Sequence, residues 1–332
     1  MAEVVVVTGA GAGLGRAIAL AFARRGASLG LIARGEDRLE DAKAEIDRAG
    51  GRAVFVAGDV ADPDTHERAA RVTEEAFGPI DVWVNDAMTT VFAPVREMTA
   101  GEYRRVTEVT YLGFVYGTLA ALRRMTPRDR GTIVQVGSAL AYRSIPLQSA
   151  YCGAKHAMNG FTDALRCELI HDRSNVKVTV VQMPALNTPQ FGWCRSKMPR
   201  KAQPVPPIFQ PEVGAEAVYW AAHKHHREVF VGWPTVRAIW GQRLVPGFAD
   251  HEAAKMAWDG QMIDEPEDPD RPNNLFESVP GHQGAHGAFD SRASFSSPEL
   301  WATTHAGWLA VGAAGLAGLA AGAAALWGRK GR

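Results

Sequence analysis

The feature that most constrains this chain lies in its first fifteen residues. Val4-Val5-Val6-Val7 is a short β-branched run that stops at Thr8-Gly9-Ala10-Gly11-Ala12-Gly13-Leu14-Gly15. Apolar residues at helical spacing, Ile18, Leu20, Phe22 and Ala23, follow at once. A strand that feeds a glycine turn and then a helix is the first half of a βαβ unit, which implies a parallel sheet. Further short apolar runs at 29–33, 53–57, 80–84, 132–136, 176–181 and 229–231 are separated by helix-like stretches. Strands buried on both faces lose the alternation of polar and apolar residues. The expected class is therefore α/β, a doubly wound parallel sheet of Rossmann type.

A glycine turn at this point lets backbone N–H groups approach a pyrophosphate, and the helix N-terminus adds partial positive charge. A side chain at Gly9, Gly13 or Gly15 would block that approach or the helix–strand contact. The pattern alone also fits a tight turn with no ligand; its place after the first strand favours a dinucleotide. The end of the second strand indicates which one. An acid there would bind the ribose hydroxyls, yet Leu31-Ile32 leads into Ala33-Arg34. A guanidinium suits a 2′-phosphate, so NADP(H) is the expected cofactor. Asp59, after the third strand, could accept from the adenine amino group or serve as an ordinary turn aspartate.

Ser138 closes the fifth strand, and Tyr151 and Lys155 stand four apart in a helical stretch, on one face. Thr8-Gly-x-x-x-Gly-x-Gly15, a serine, and Tyr151-x-x-x-Lys155, in that order, resemble the short-chain dehydrogenase/reductase family over about residues 3–250. The resemblance implies an oxidoreductase that interconverts an alcohol and a ketone or aldehyde. In it Tyr151 exchanges the proton, Lys155 holds the nicotinamide ribose, and Ser138 hydrogen-bonds the reacting oxygen. The chemistry agrees: a free phenol has a pKa near 10, and a neighbouring ammonium favours its anion. The cofactor residues implied are Gly9, Gly13, Leu14, Gly15, Arg34, Asp59, Val60, Asn85, Ala87, Tyr151, Lys155 and Thr188. Thr188, in Pro184-Ala-Leu-Asn-Thr188, corresponds to the threonine that binds the nicotinamide carboxamide. A homo-oligomer is implied as well.

Two positions depart from the family. Asn85-Asp86-Ala87-Met88 stands where Asn-Asn-Ala-Gly is usual, and Thr110, in Val109-Thr-Tyr-Leu-Gly113, replaces an asparagine that helps to hold a proton-relaying water. These changes motivate an alternative reading as a non-catalytic NADP(H)-binding sensor or scaffold. Residues 186–211 carry six prolines with Phe191, Trp193 and Phe209, and the family places a substrate lid there. Stiff aromatic walls favour a small apolar carbonyl or alcohol.

The remaining expectations come from composition. The 36 basic residues balance the 36 acidic ones, which disfavours a nucleic-acid partner. Three scattered cysteines suit a reducing compartment, and the first residues lack a secretory pattern, so the cytoplasmic side is expected. His223, His225 and His226 sit beside Lys224 and Arg227 at an expected helix end, and no metal is expected. The domain expected at 1–260 is followed by an acidic, proline-interrupted, solvated linker at 261–304 and an apolar segment at 305–332. Residues 306–328 contain no charge, and Trp308 and Trp327 bound a stretch of about 30 Å as a helix, so a transmembrane helix and membrane association are expected.

Overall fold

The structure, a computed structural model, describes residues 2–224 and 226–306. Seven parallel strands form the central sheet: β1 Val4–Thr8, β2 Ser28–Ala33, β3 Arg52–Ala57, β4 Val82–Asn85, β5 Thr132–Ser138, β6 Lys177–Met183 and β7 Glu228–Phe230. Their order is β7-β6-β5-β4-β1-β2-β3, with Val5 of β1 level with Leu29 on one side and Val82 on the other. The direction of winding reverses between β1 and β4. A doubly wound sheet opens its ligand crevice there, beyond the carboxyl ends of these strands.

Both faces of β1 are buried, which is why its sequence is apolar without alternation. Val5 and Val7 pack with Ile18 and Phe22 of α1 (Gly13–Ala23) and with Val213 and Val218 of α7 (Pro211–His223). Val4 and Val6 face the other layer. They pack with Ala69 and Ala70 of α3 (Pro63–Phe77), Ala120 and Ala121 of α5 (Gly113–Met125), and Leu165 and Leu169 of α6 (Ser149–His171). At ~1.5–3 kcal/mol for each fully buried valine-sized side chain, two such layers fix the sheet firmly. Local signals set the helix starts. Asp62 caps α3, accepting from Asp64 N at 3.0 Å ahead of Pro63 at the first turn. Thr99 and Glu102 form a reciprocal capping box on α4 (Ala100–Thr107).

Residues 261–304 depart from the solvated linker expected of their composition. Met262–Pro266 pairs antiparallel with Arg200–Ala202, and Ala293–Ser294 pairs with Ile208–Phe209. Leu275, Phe289 and Leu300 are buried. Glu299 accepts from Gly232 N at 2.8 Å, and Asn187 Oδ1 accepts from Phe289 N at 3.0 Å. Three well-spaced apolar anchors and a series of backbone bonds hold the segment, neither of which depends on a continuous hydrophobic pattern. Among the described residues no helix is long and apolar enough to cross a membrane; the tail expected to do so lies almost wholly outside them, beyond Ala306.

Candidate active site

The turn after β1 leaves φ positive at Gly9, +74°, where a Cβ would also come within 2.9 Å of Ala87 Cα. At Gly15 a Cβ would strike the Gly9 carbonyl. The turn is thus closed down until only backbone fits, and α1 starts from Ala12 with no side-chain cap. Its N-terminal amides therefore bond to groups outside the helix: Gly13 N donates to Gly284 O at 3.1 Å and Gly15 N–H to the Asp86 carboxyl. Thr8 Oγ1 accepts from Asp86 N at 2.9 Å and from Ala87 N at 3.1 Å, tying the end of β1 to the end of β4.

A continuous cavity of about 1030 Å³ begins at this turn. Gly9, Gly13 and Leu14 form its floor, and Arg34, Asp59, Val60 and Ala87 its walls. Ser138, Tyr151, Lys155 and Thr188 line it further along. It continues past Pro204, Val205 and Pro207 to Val245, Phe248 and Met256, where the lining is largely apolar. The fold thus brings eleven of the thirteen residues singled out in the sequence to one space.

Gly15 and Asn85 do not line it. Gly15 lies beneath the turn, packed on Gly9. The Asn85 side chain points into the packing: Nδ2 donates to Gln135 Oε1 at 2.9 Å and Thr118 Oγ1 at 3.1 Å, while Oδ1 accepts from Trp83 Nε1 at 2.9 Å. A fully buried amide needs such partners, and here they pin β4 to β5 and α5. Met88 lines the cavity without filling it. The Thr110 hydroxyl donates to Thr89 O at 2.9 Å and accepts from Thr89 N at 3.0 Å, which ties it to the loop beyond β4.

Tyr151 and Lys155 project from the first turns of α6, and Ser138 ends β5 opposite them. Lys155 is buried; its Nζ donates to Val136 O at 2.7 Å and lies 5.7 Å from the centre of the Tyr151 ring. Burial pushes the phenol of Tyr151 well above its ordinary range, and the Ser138 hydroxyl beside it acts the other way. This reverses the lowered phenol expected from the spacing: desolvation is the largest influence, and Cys152 and Asp86 add to it. A phenol that keeps its proton at neutral pH is suited to donate one.

Asp86 is the group the sequence reading missed. Its carboxyl sits over the start of α1, where it accepts from Gly15 N–H, and it lines the same cavity as Lys155, near enough for the two charges to act on each other. Burial raises the Asp86 pKa and the ammonium lowers it; burial lowers the Lys155 pKa and the carboxylate raises it. The sequence signal was an acid in the place of an amide after β4. Arg38, one turn into α2 (Glu36–Arg48), was missed as well; its guanidinium lies 4.4 Å from the centre of the Trp193 ring. Trp193 is thereby turned towards the Arg34 and Arg38 side of the cavity, while Phe191 lines the space beside Phe289 and Phe209 is in the core. His286 pairs with Glu212 and Asp290, and His282 with Asp41.

The family described as short chain dehydrogenase matches residues 3–198. The chain belongs to that family. It is an oxidoreductase, of a family that binds nicotinamide dinucleotides. Among curated relatives, the uncharacterized oxidoreductase YxnA of Bacillus subtilis is 30% identical over 278 residues, 83% of this chain and 78% of the other. Dehydrogenase/reductase SDR family member 7B of Mus musculus is 38% identical over 56% of this chain and 58% of its own. The 3-dehydrosphinganine reductase of Danio rerio is 33% identical over 56% of this chain and 57% of its own. The chain thus aligns with little more than half the length of these last two. A solved alcohol dehydrogenase from Thermococcus sibiricus, complexed with 5-hydroxy-NADP, superposes with a TM-score of 0.60 at 28% identity, covering 70% of this chain and 96% of the other.

Proposed function

We propose that this oxidoreductase uses NADPH to reduce a ketone or aldehyde on an apolar substrate, with Tyr151 as the proton donor. The observation that carries the reading is the convergence of Ser138, Tyr151 and Lys155 on a cavity that starts at the glycine turn. A nicotinamide bound there supplies hydride to the carbonyl carbon. Tyr151 delivers its proton to the carbonyl oxygen, Ser138 donates a hydrogen bond to that oxygen, and Lys155 stabilises the phenolate left behind. The products are the alcohol and the oxidised cofactor. Two things support NADPH over NADH: Arg34 and Arg38 both line the cavity that starts at the glycine turn, and the T. sibiricus relative holds an NADP derivative. The apolar far half of the cavity supports a lipophilic substrate, as do relatives that reduce sphingoid ketones by name. Membrane association through 306–328 is part of the same reading, on the sequence alone.

The test is a panel of long-chain ketones, aldehydes and alcohols followed by reduced-nicotinamide absorbance. Turnover with NADPH, rising with the length of the apolar chain, is the expected outcome. Tight NADPH binding with no turnover on any member would instead favour a sensor or scaffold.

Asp86 sets the pH range in this mechanism. Its carboxylate helps to keep Lys155 protonated, so Asp86→Asn lowers the Lys155 pKa further and the ammonium is lost at lower pH. The alkaline limb of the kcat profile should move towards neutrality, at about tenfold in activity for each pH unit of displacement. The acidic side and NADPH affinity at pH 6 should change much less. An alkaline limb that stays in place would remove Asp86 from this role.

A further inference from the structure

The stretch expected to be a free linker crosses the mouth of the cofactor site. Asn274 O and Phe276 O accept from Arg34 Nη2 and Nη1 at 2.5 and 3.0 Å. Val279 O and Gly281 O accept from Arg38, the latter from Nε at 3.1 Å. Gln283 O accepts from Arg16 Nη1 at 2.9 Å, and Gly284 O from Gly13 N, the first amide of α1, at 3.1 Å. One end of the crossing is fastened by Leu275, fully buried with Val91, Val106 and Ala150 and bonded through its carbonyl to Arg105 Nε at 2.9 Å. The other end is fastened by Gly287 N on Asn187 O at 3.2 Å and by the His286 pairs. Trp193, stacked on Arg38, closes the gap from the opposite side.

The strap does not fill the site. The continuous cavity of about 1030 Å³ runs from the strap, where Asn274 and Ser278 line it, to its apolar far end, at the top of the ~300–1,000 Å³ typical of ligand sites. Its bonds to Arg34 and Arg38 are made by neutral carbonyls, so the positive charges they hold are not cancelled. A guanidinium carries five N–H donors; each of these two arginines gives two to the strap. The remaining donors can engage a phosphate while the strap stays bonded, and a phosphate bond to a guanidinium is stronger than a carbonyl bond.

We propose that residues 273–287 are a working part of the cofactor site, a strap that lifts to admit NADP(H) and closes over its adenosine and phosphate end. Leu275 and Phe289 act as its two fixed points, and Gly281 and Gly284, in open space, give the span between them backbone freedom. Cofactor exchange is then governed by the strap, and the arginines serve both the phosphate and the closure. This inference rests on the cofactor assignment above.

A disulfide between strap and domain tests it. A Cβ on Gly35, whose φ is −82°, would lie 2.8 Å from Ser278 Oγ, within reach of a disulfide. Gly35→Cys and Ser278→Cys are combined with Cys167→Ser, which removes the exposed native thiol. Oxidised after loading with NADPH, the protein should release cofactor more than tenfold more slowly than when reduced with dithiothreitol. Oxidised before loading, it should take up NADPH more slowly by a similar factor. Unchanged rates in both orders would overturn the strap while leaving cofactor binding intact, whereas a wild-type chain that binds no NADPH would overturn the cofactor reading itself. Hydrogen exchange on the wild type needs no variant: amides of 275–287 should exchange more slowly with NADP⁺ bound. Unchanged or faster exchange there would mean a strap that is indifferent to the cofactor or displaced by it, and would overturn the proposal.

Discussion

Tyr151→Phe should lower kcat by about 10²–10⁴-fold, the usual share of a positioned acid or base, and leave NADPH affinity nearly unchanged. The substitution removes one oxygen and keeps the ring, so the packing of α6 against Ser138 and the Lys155 ammonium 5.7 Å from the ring centre are preserved. The oxygen removed is the proton donor, and burial keeps that proton in place at neutral pH. What remains is rate acceleration from holding substrate and cofactor together. The readouts are NADPH titration, thermal stability and single-turnover reduction on one preparation. Unaltered turnover would sink the acid role of Tyr151. Ser138→Ala is a less decisive experiment, because the Ser138 hydroxyl also accepts from Leu140 N at 3.1 Å and so caps the turn after β5. Loss of activity there would mix lost chemistry with a disturbed loop.

The division between what could and could not be read in the sequence follows from where the determining groups sit. Val4 to Val7 signal a strand because side chains on both faces must be apolar, and the glycines signal the turn because a Cβ would collide at Gly9 and Gly15 and φ is positive at Gly13. Tyr151 and Lys155 are side chains acting through side-chain atoms, so their spacing carries the information. Asn85 is ambiguous in sequence, because an asparagine at a strand end suits a buried amide network and a ligand contact equally. The Tyr151 phenol was given the wrong direction because spacing shows a neighbouring charge and hides the depth of burial. The strap was invisible for a different reason. It grips Arg34, Arg38 and Arg16 with backbone carbonyls, which every residue has, and its anchors are single apolar residues in acidic, proline-rich surroundings. Such composition reads as solvated chain, and six carbonyls facing three arginines and an amide leave no pattern in residue type.

Arg34→Ala should weaken NADPH binding by about 10- to 100-fold, since a hydrogen bond to a charged group is worth ~1.5–3 kcal/mol and each 1.4 kcal/mol is tenfold. Two effects are superimposed in that number. The guanidinium would be lost to the 2′-phosphate, and the strap would lose its bonds at Asn274 O and Phe276 O. NADH separates them. It lacks the phosphate, so a looser strap weakens NADH and NADPH by the same factor, whereas loss of phosphate recognition weakens NADPH alone. The ratio of the two dissociation constants therefore reports the charge, and the dissociation rate of NADH reports the strap. Arg34→Lys keeps a cation and loses the planar fork, so it should recover part of the ratio and little of the slow release. If Arg34→Ala leaves the NADPH:NADH ratio untouched while both cofactors leave faster, Arg34 is a strap anchor and the phosphate is held elsewhere, with Arg38 as the remaining guanidinium at that end of the cavity.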